Sequence, residues 1–356
     1  MKSMIEVRQA VRDLSAYNVN QPDCLIKLNQ NENPYGLPEA FQRDMAEVCS
    51  KMVWNRYPEL DGRSLREPLS RGLGVDPDTL VLGNGSNELL MAVMTSLLEP
   101  GRRLVVVEPT FSLYRHLGKL TGADVVVLPF EGVFEFPEEM LAQALADSRT
   151  SLGVLCSPNN PTGSVLSLAQ VQGLLKIARG ALLIDEAYVD FSSQDFMPLL
   201  REHPNLILTR TFSKARAFAG IRLGYSLSSP DLAREMTKAL LPFRISRLTL
   251  EAGKILLKYE SWIKDRVKEI VKERERLFGS LDELEGITAY PSQANFILIR
   301  PEQEAQWLFN KLLERSILIR DVSAYPFLDN HLRISVGTPE ENNLLVEAIR
   351  SLFRDQ

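Results

Sequence analysis

From about residue 75 the chain alternates short, nearly continuous apolar runs with longer amphipathic runs, and this rhythm constrains the fold more than any other feature. Such apolar runs are typical of strands in a parallel sheet, because helices cover both of its faces. The pattern predicts an α/β fold with strands at 80–83, 103–109, 124–130, 152–158, 181–188, 206–211 and 222–228.

The pattern of apolar and charged residues changes near residue 250. Residues 250–285 are predicted to form one long charged helix, and strand-like segments and a closing helix follow it. The sequence therefore predicts a large domain with a mostly parallel sheet (36–255) and a smaller α+β domain (256–356). The N-terminal segment (1–35) lacks this rhythm, and we expect it to pack against both domains.

Composition and charge argue against several classes of function. The chain has 356 residues and a formal net charge of -5, and no stretch clusters Lys and Arg, so a nucleic-acid partner is not expected. Three scattered cysteines and three scattered histidines favour neither a disulfide framework nor a metal centre. The sequence lacks a signal-peptide pattern and a membrane-length apolar run, so we expect a cytoplasmic protein without a membrane partner.

Polar residues follow several of the predicted strands, where doubly wound sheets bind ligands. The segment 83–88 (GNGSNE) opens a helix and could hold a phosphate, although a tight turn with Ser86 or Asn87 as the N-cap explains it equally well. The segment 157–163 (SPNNPTG) forms a rigid loop that could aim an amide side chain or could be a structural turn.

A carboxylate and an amine follow the next two strands. Asp185 ends a buried strand and needs a partner, which could be a cationic ring nitrogen or an arginine. Lys214 lies between hydroxyl residues and Arg222, and it is either a nucleophile or a solvated surface residue. Taken together, an amine, a carboxylate, an amide and a phosphate cradle are the groups of a Schiff-base pyridoxal phosphate site.

The motifs SPNNPTG, IDEAY, TFSK and AGIRLGY, in this order, resemble those of the fold-type I aminotransferases. With NQNENPYG, NRYP and LRISVGT they are most similar to the histidinol-phosphate aminotransferase family, over almost the whole chain. The resemblance implies the fold-type I architecture, pyridoxal 5′-phosphate as cofactor, and a symmetric homodimer with shared active sites.

The resemblance also implies roles for individual residues at the cofactor. Lys214 would form the Schiff base and move the substrate proton, and Asp185 would pair with the ring nitrogen. Asn159 and Tyr188 would bond the ring hydroxyl oxygen, and Phe111 would stack on the ring. The phosphate would be held by Ser86, Asn87, Thr211, Ser213, Arg222 and, from the other subunit, Tyr57.

For the substrate, the resemblance implies that Arg333 binds a carboxylate and that Arg320 and Tyr17 bind a phosphate, with Asn159 close by. A surface salt bridge is the alternative for Arg333. The chain departs from the family pattern at Asn84, at Asn87 and at Arg244, which could add a third cation near the pocket.

The reaction implied is transfer of the amino group of histidinol phosphate to 2-oxoglutarate, which gives imidazole acetol phosphate and glutamate in histidine biosynthesis. A threonine-phosphate decarboxylase and an aromatic amino-acid aminotransferase are the alternatives on the same fold. A non-catalytic binding protein is disfavoured because Lys214 and Asp185 are both present.

Overall fold

The computed structural model describes residues 5–14 and 22–354. The strands in these residues are β1 (Ile26–Lys27), β2 (Leu80–Gly83), β3 (Arg103–Glu108), β4 (Asp124–Pro129), β5 (Thr150–Cys156), β6 (Ala181–Asp185), β7 (Leu206–Thr211), β8 (Gly224–Leu227), β9 (Ile287–Tyr290), β10 (Phe296–Pro301), β11 (Ile317–Leu318), β12 (Arg320–Asp321) and β13 (Leu332–Ser335). The α-helices are α1 (Gln9–Arg12), α2 (Glu39–Lys51), α3 (Arg63–Leu73), α4 (Ser86–Leu97), α5 (Leu113–Thr121), α6 (Glu138–Ala146), α7 (Leu168–Ile177), α8 (Pro230–Thr237), α9 (Arg247–Leu256), α10 (Glu260–Asp282), α11 (Ala305–Glu314) and α12 (Pro339–Arg354).

Seven strands form the large sheet in the order β2-β8-β7-β6-β5-β3-β4. Only β8 runs in the direction opposite to the other six, so it pairs antiparallel with β2 and with β7. Consecutive residues of each strand point to opposite faces. On β7, Leu206 and Leu208 therefore join one apolar core, while Ile207 joins the core on the other face. The α/β fold with a mostly parallel, helix-covered sheet is confirmed.

Two predicted strands are shorter than expected. The strand predicted at 181–188 ends at Asp185, and the chain continues into a 3₁₀ turn at Val189–Phe191. The strand predicted at 222–228 begins at Gly224, because Arg222 has a left-handed backbone conformation (φ 56°) that a strand does not accommodate.

The small sheet is antiparallel, with the order β12-β13-β10-β9, and it packs against α10, α11 and α12. The N-terminal segment reaches this region because β1 pairs in parallel with β11. The domain boundaries predicted at 35/36 and 255/256 stay predictions.

The single helix predicted at 250–285 is wrong. The chain forms α9 and α10, which are separated by a 3₁₀ turn at Leu257–Tyr259. Helix α9 packs on the core of the large sheet through Ile255. Helix α10 begins on the same core with Ile263 and reaches the core of the small sheet further along, with Leu277. No helix within the described residues is long and apolar enough to span a bilayer.

Candidate active site

A cavity of about 560 Å³ lies at the carboxyl ends of several large-sheet strands and is closed on another side by residues of the small sheet. It brings together eleven of the residues proposed from the sequence: Ser86, Asn87, Phe111, Asp185, Tyr188, Thr211, Ser213, Lys214, Arg222, Arg320 and Arg333. Side chains separated by up to about 250 positions in the sequence (333 against 86) therefore share one space.

Lys214 projects into this cavity from the loop after β7. Its Nζ donates a hydrogen bond of 2.8 Å to the main-chain oxygen of Gln30 and lies 5.8 Å from the ring centre of Tyr188. Burial, reinforced by the positive charge of Arg333, lowers the pKa of Lys214 to about 7. A substantial share of this amine is therefore neutral and nucleophilic near neutral pH.

Asp185 is the last residue of β6 and is buried at the floor of the cavity. Its Oδ2 accepts a hydrogen bond of 2.7 Å from the phenol of Tyr114, and its Oδ1 accepts one from the amide of Ala187. Burial raises the pKa of this carboxyl, and the bonds from Tyr114 and Ala187 oppose that rise. Asp185 forms no ion pair with a described residue, so the carboxylate suits a cationic group brought by a ligand.

An anion cradle lies at the start of α4. Ser86 is the first residue of this helix, whose N-terminal amides have no partner within the helix. A side chain at position 85 would collide with Nη2 of Arg222, 2.6 Å from the added carbon, and Gly85 also has a positive φ of 76°. Arg222 in turn donates to the hydroxyl of Ser213, which accepts a bond from Thr211. The donors are the type that a phosphate requires.

The loop 157–163 presents a different amide from the one proposed. Asn160 lines the cavity, whereas Asn159 does not. The Asn159 amide is directed into the loop because it is fully occupied there by hydrogen bonds with the Pro109 oxygen, the Thr110 hydroxyl and the Thr162 hydroxyl. The prediction that Asn159 lies at the cavity is therefore wrong, and the next residue, Asn160, lines it instead.

Tyr188 lines the cavity next to Lys214. Its phenol oxygen accepts a hydrogen bond of 2.9 Å from Nδ2 of Asn31, and its ring packs edge-on against Phe296. Burial raises the pKa of this phenol, so Tyr188 keeps its proton at neutral pH. Phe111 also lines the cavity and meets the ring of Tyr114 edge-on.

Two arginines stand opposite each other at the small-sheet side. Arg320 of β12 and Arg333 of β13 are direct cross-strand partners, so their side chains leave the sheet on the same face. Arg333 donates to Oδ1 of Asn160 and to the main-chain oxygen of Asn29, and its guanidinium lies over the ring of Phe296. Two directly opposed cations are mutually unfavourable, and an anion between them would relieve the repulsion.

Two further proposed residues, Tyr57 and Arg244, do not line the cavity, and Tyr17 lies outside the described residues. Tyr57 is 79% exposed and stacks on Phe243, on a surface separate from the cavity. Arg244 lies on that same surface and donates to the main-chain oxygen of Leu82, so it is not a third cation of the cavity.

Sequence reasoning missed several lining residues. Tyr114 follows Phe111 by three positions, a spacing that brings two side chains to one side of a helical turn. Asn29 and Asn31 belong to a segment that looked like a connecting loop, and their entry into the cavity depends on the pairing of β1 with β11. No cluster of metal-ligating side chains is present in the part of the chain that the structure describes.

Comparisons with known proteins agree with this geometry. The family described as aminotransferase class I and II matches residues 23–349. A histidinol-phosphate aminotransferase of Chlorobium phaeobacteroides is 39% identical over 347 residues and covers 96% of each chain. The histidinol-phosphate aminotransferase of Chlorobium phaeovibrioides is 36% identical over 346 residues, again with 96% of each chain covered.

A solved structure shares the fold. The histidinol-phosphate aminotransferase of Sinorhizobium meliloti, solved in complex with pyridoxal-5′-phosphate, superposes with a TM-score of 0.89. It is 24% identical, and the match covers 99% of both chains. At that identity the likeness shows the fold.

Proposed function

The chain belongs to the class I and II aminotransferases, and we propose that it transfers the amino group of histidinol phosphate to 2-oxoglutarate with pyridoxal 5′-phosphate as cofactor. The products are imidazole acetol phosphate and glutamate, and the pathway is histidine biosynthesis. The carrying observation is one cavity lined by Lys214, by the buried Asp185 and by the two opposed arginines Arg320 and Arg333.

The residues present fit the cofactor. Asp185 lacks a cationic partner among the described residues, and a protonated ring nitrogen supplies one. The helix start at Ser86, with Ser213 and Arg222, offers the donors for the phosphate group. Phe111 provides an aromatic face for the ring.

Lys214 would hold the cofactor through Nζ, which its lowered pKa keeps partly unprotonated. When bound, the cofactor would supply an electron sink for the substrate carbon. Nζ of Lys214 would serve as the general base and acid that moves the proton of that carbon. Tyr188 and Asn160 line the same cavity and would orient polar groups of the ring.

The arginine pair binds the other end of the substrate. Histidinol phosphate has a phosphate but no carboxylate, and 2-oxoglutarate has two carboxylates. Arg320 and Arg333 can serve both because a guanidinium binds either oxyanion with paired hydrogen bonds.

We further propose a homodimer that shares its active sites. Val53, Trp54 and Tyr57 are exposed by 51%, 66% and 79%, and together with Phe243 they form a surface that we call the Tyr57 patch. Exposed apolar groups of this size suit a second copy of the chain. Tyr57 would then reach the cofactor phosphate of the partner subunit.

A cytoplasmic location is part of the proposal. The three cysteines Cys24, Cys49 and Cys156 are all unpaired, which suits a reducing compartment.

The test is a single-turnover assay of the cofactor-loaded protein. We expect histidinol phosphate to change the cofactor absorbance and 2-oxoglutarate to restore it, with equimolar glutamate formed. Lys214→Ala should abolish both changes, whereas the exposed Lys238→Ala should retain them. Release of CO₂ from threonine phosphate, or turnover of aromatic amino acids alone, would contradict the proposal and identify the alternative.

A further inference from the structure

The side-chain amide of Asn29 has no hydrogen-bond partner among the described residues. The residue is 2% exposed and lines the cavity. The other two buried asparagines of the cavity wall are engaged: Asn31 bonds Tyr188, and Asn160 bonds Arg333. A buried amide without a partner is unfavourable by about 1–3 kcal/mol, so its place in a cavity wall points to a ligand.

The amide presents its amino group to the cavity. Oδ1 of Asn29 is fully enclosed by protein and has no partner there. The Nδ2 group, which can only donate hydrogen bonds, is therefore the end that remains for a ligand.

The position of Asn29 is fixed independently of any ligand. The amide of Leu28, the residue before it, donates to the Leu318 oxygen, and the Leu28 oxygen accepts from Ser335. The main-chain oxygen of Asn29 itself accepts a hydrogen bond of 2.8 Å from Nη2 of Arg333. The main chain of Asn29 is thus held against the guanidinium that faces Arg320 across the strand pair, and its side chain lines the same cavity.

We propose that Nδ2 of Asn29 donates a hydrogen bond to the anionic end of the substrate that Arg333 binds, and that Asn29 thereby determines specificity for that anion. The inference rests on the proposed function, since it takes the phosphate of histidinol phosphate and the distal carboxylate of 2-oxoglutarate as the anions. A neutral donor adds directionality to a site whose other donors are charged.

Two variants of the cofactor-loaded enzyme test this. Asn29→Leu preserves the volume and removes the donor, and we expect it to raise KM for histidinol phosphate about tenfold, the equivalent of about 1.4 kcal/mol, with little change in kcat. Asn29→Asp replaces the donor with a charge of the ligand's own sign, and we expect a larger rise. Inhibition by inorganic phosphate should weaken in the same order.

Asn205→Asp is the matched control, because it makes the same change at a partly buried amide that bonds Leu175 and does not line the cavity. It should leave KM and phosphate inhibition unchanged. If Asn29→Asp does not fold or does not retain the cofactor, Asn29→Ala takes its place, with the same rise expected as for Asn29→Leu.

Values of KM and of the phosphate inhibition constant within twofold of the parent, in the variants that fold, would overturn the proposal. A lower KM for histidinol phosphate in Asn29→Asp would also overturn it, because the site would then require a hydrogen-bond acceptor. If the parent enzyme does not turn over histidinol phosphate, the proposed function fails, whereas calorimetric titration of inorganic phosphate into the loaded protein still tests Asn29.

Discussion

The phenol of Tyr114 donates a hydrogen bond of 2.7 Å to Oδ2 of Asp185, and both side chains are buried. Burial raises the pKa of Asp185 and this bond lowers it, so Tyr114 helps to keep the carboxylate ionised. The negative charge of Asp185, together with burial, raises the pKa of the Tyr114 phenol, so the tyrosine remains the donor. The pair is a prepared partner for a cationic ring nitrogen.

Tyr114→Phe should weaken cofactor binding because it removes that donor while preserving the ring. We expect the dissociation constant to rise about fivefold to tenfold at neutral pH, and to rise further as the pH falls and Asp185 takes up a proton. Equilibrium titration of the cofactor-free protein over a range of pH measures this. Tyr225→Phe, at a buried tyrosine of β8 that does not line the cavity, is the control. Equal affinity of Tyr114→Phe and the parent at every pH would contradict the role.

Lys214 should make the stability of the cofactor-free protein depend on pH. Its pKa is about 7 in the folded protein and near 10.5 when the chain is unfolded, so between these values the unfolded state binds more protons. The free energy of unfolding should therefore rise with pH across this window, by at most about 1.4 kcal/mol per pH unit from this group. Lys214→Met should lose that part of the slope in urea denaturation at pH 7 to 10, whereas the exposed Lys238→Met should retain it. If the free energy of unfolding has the same slope against pH in Lys214→Met and in the parent, the Lys214 amine is exposed to water in the folded protein.

The sequence predicts the large sheet well because its signal is local. Runs such as 103–109 and 124–130 are apolar on both faces, and the structure places β3 and β4 there. The break between α9 and α10 could not be predicted, since the apolar residues continue through the 3₁₀ turn at Leu257–Tyr259 and pack on the same core before and after it. Local pattern carries no information about which core a helical face will meet.

The same distinction holds in the candidate site. Motif spacing placed Lys214, Asp185 and Arg333 at the cavity. It predicted Asn159 where the structure has Asn160, because neighbouring residues of one type differ only in which direction the loop turns them. Asn29 enters the cavity through strand pairing with a segment almost 300 residues later, a long-range contact that no short motif encodes.

We expect the two opposed arginines to lower the stability of the substrate-free protein and to strengthen substrate binding. Arg320→Met should raise the melting temperature of the substrate-free protein, because it removes a like charge that faces Arg333 on the same sheet face. It should also raise KM for histidinol phosphate at least tenfold, equivalent to about 1.4 kcal/mol or more, since a charge-assisted bond is lost. Calorimetry and steady-state kinetics measure the two effects. Arg300→Met, on the exposed side of β10, should change neither KM nor phosphate inhibition. A lower melting temperature with unchanged KM would show that Arg320 is structural.

The Tyr57 patch predicts that each active site draws on two subunits. Phe243→Glu should convert the dimer to monomer in sedimentation experiments, because a carboxylate would be buried against apolar groups. Tyr57→Ala should leave the dimer intact but weaken cofactor binding. Coexpression of Tyr57→Ala with Lys214→Ala then separates the subunits' roles. A mixed dimer contains one site with both defects and one site with neither, so about a quarter of all sites should bind cofactor and turn over normally. Recovery of activity in the mixture, from two variants that are each impaired alone, requires Tyr57 to act across the interface. No recovery in a mixture shown to contain mixed dimers would mean that Tyr57 serves its own subunit or no site.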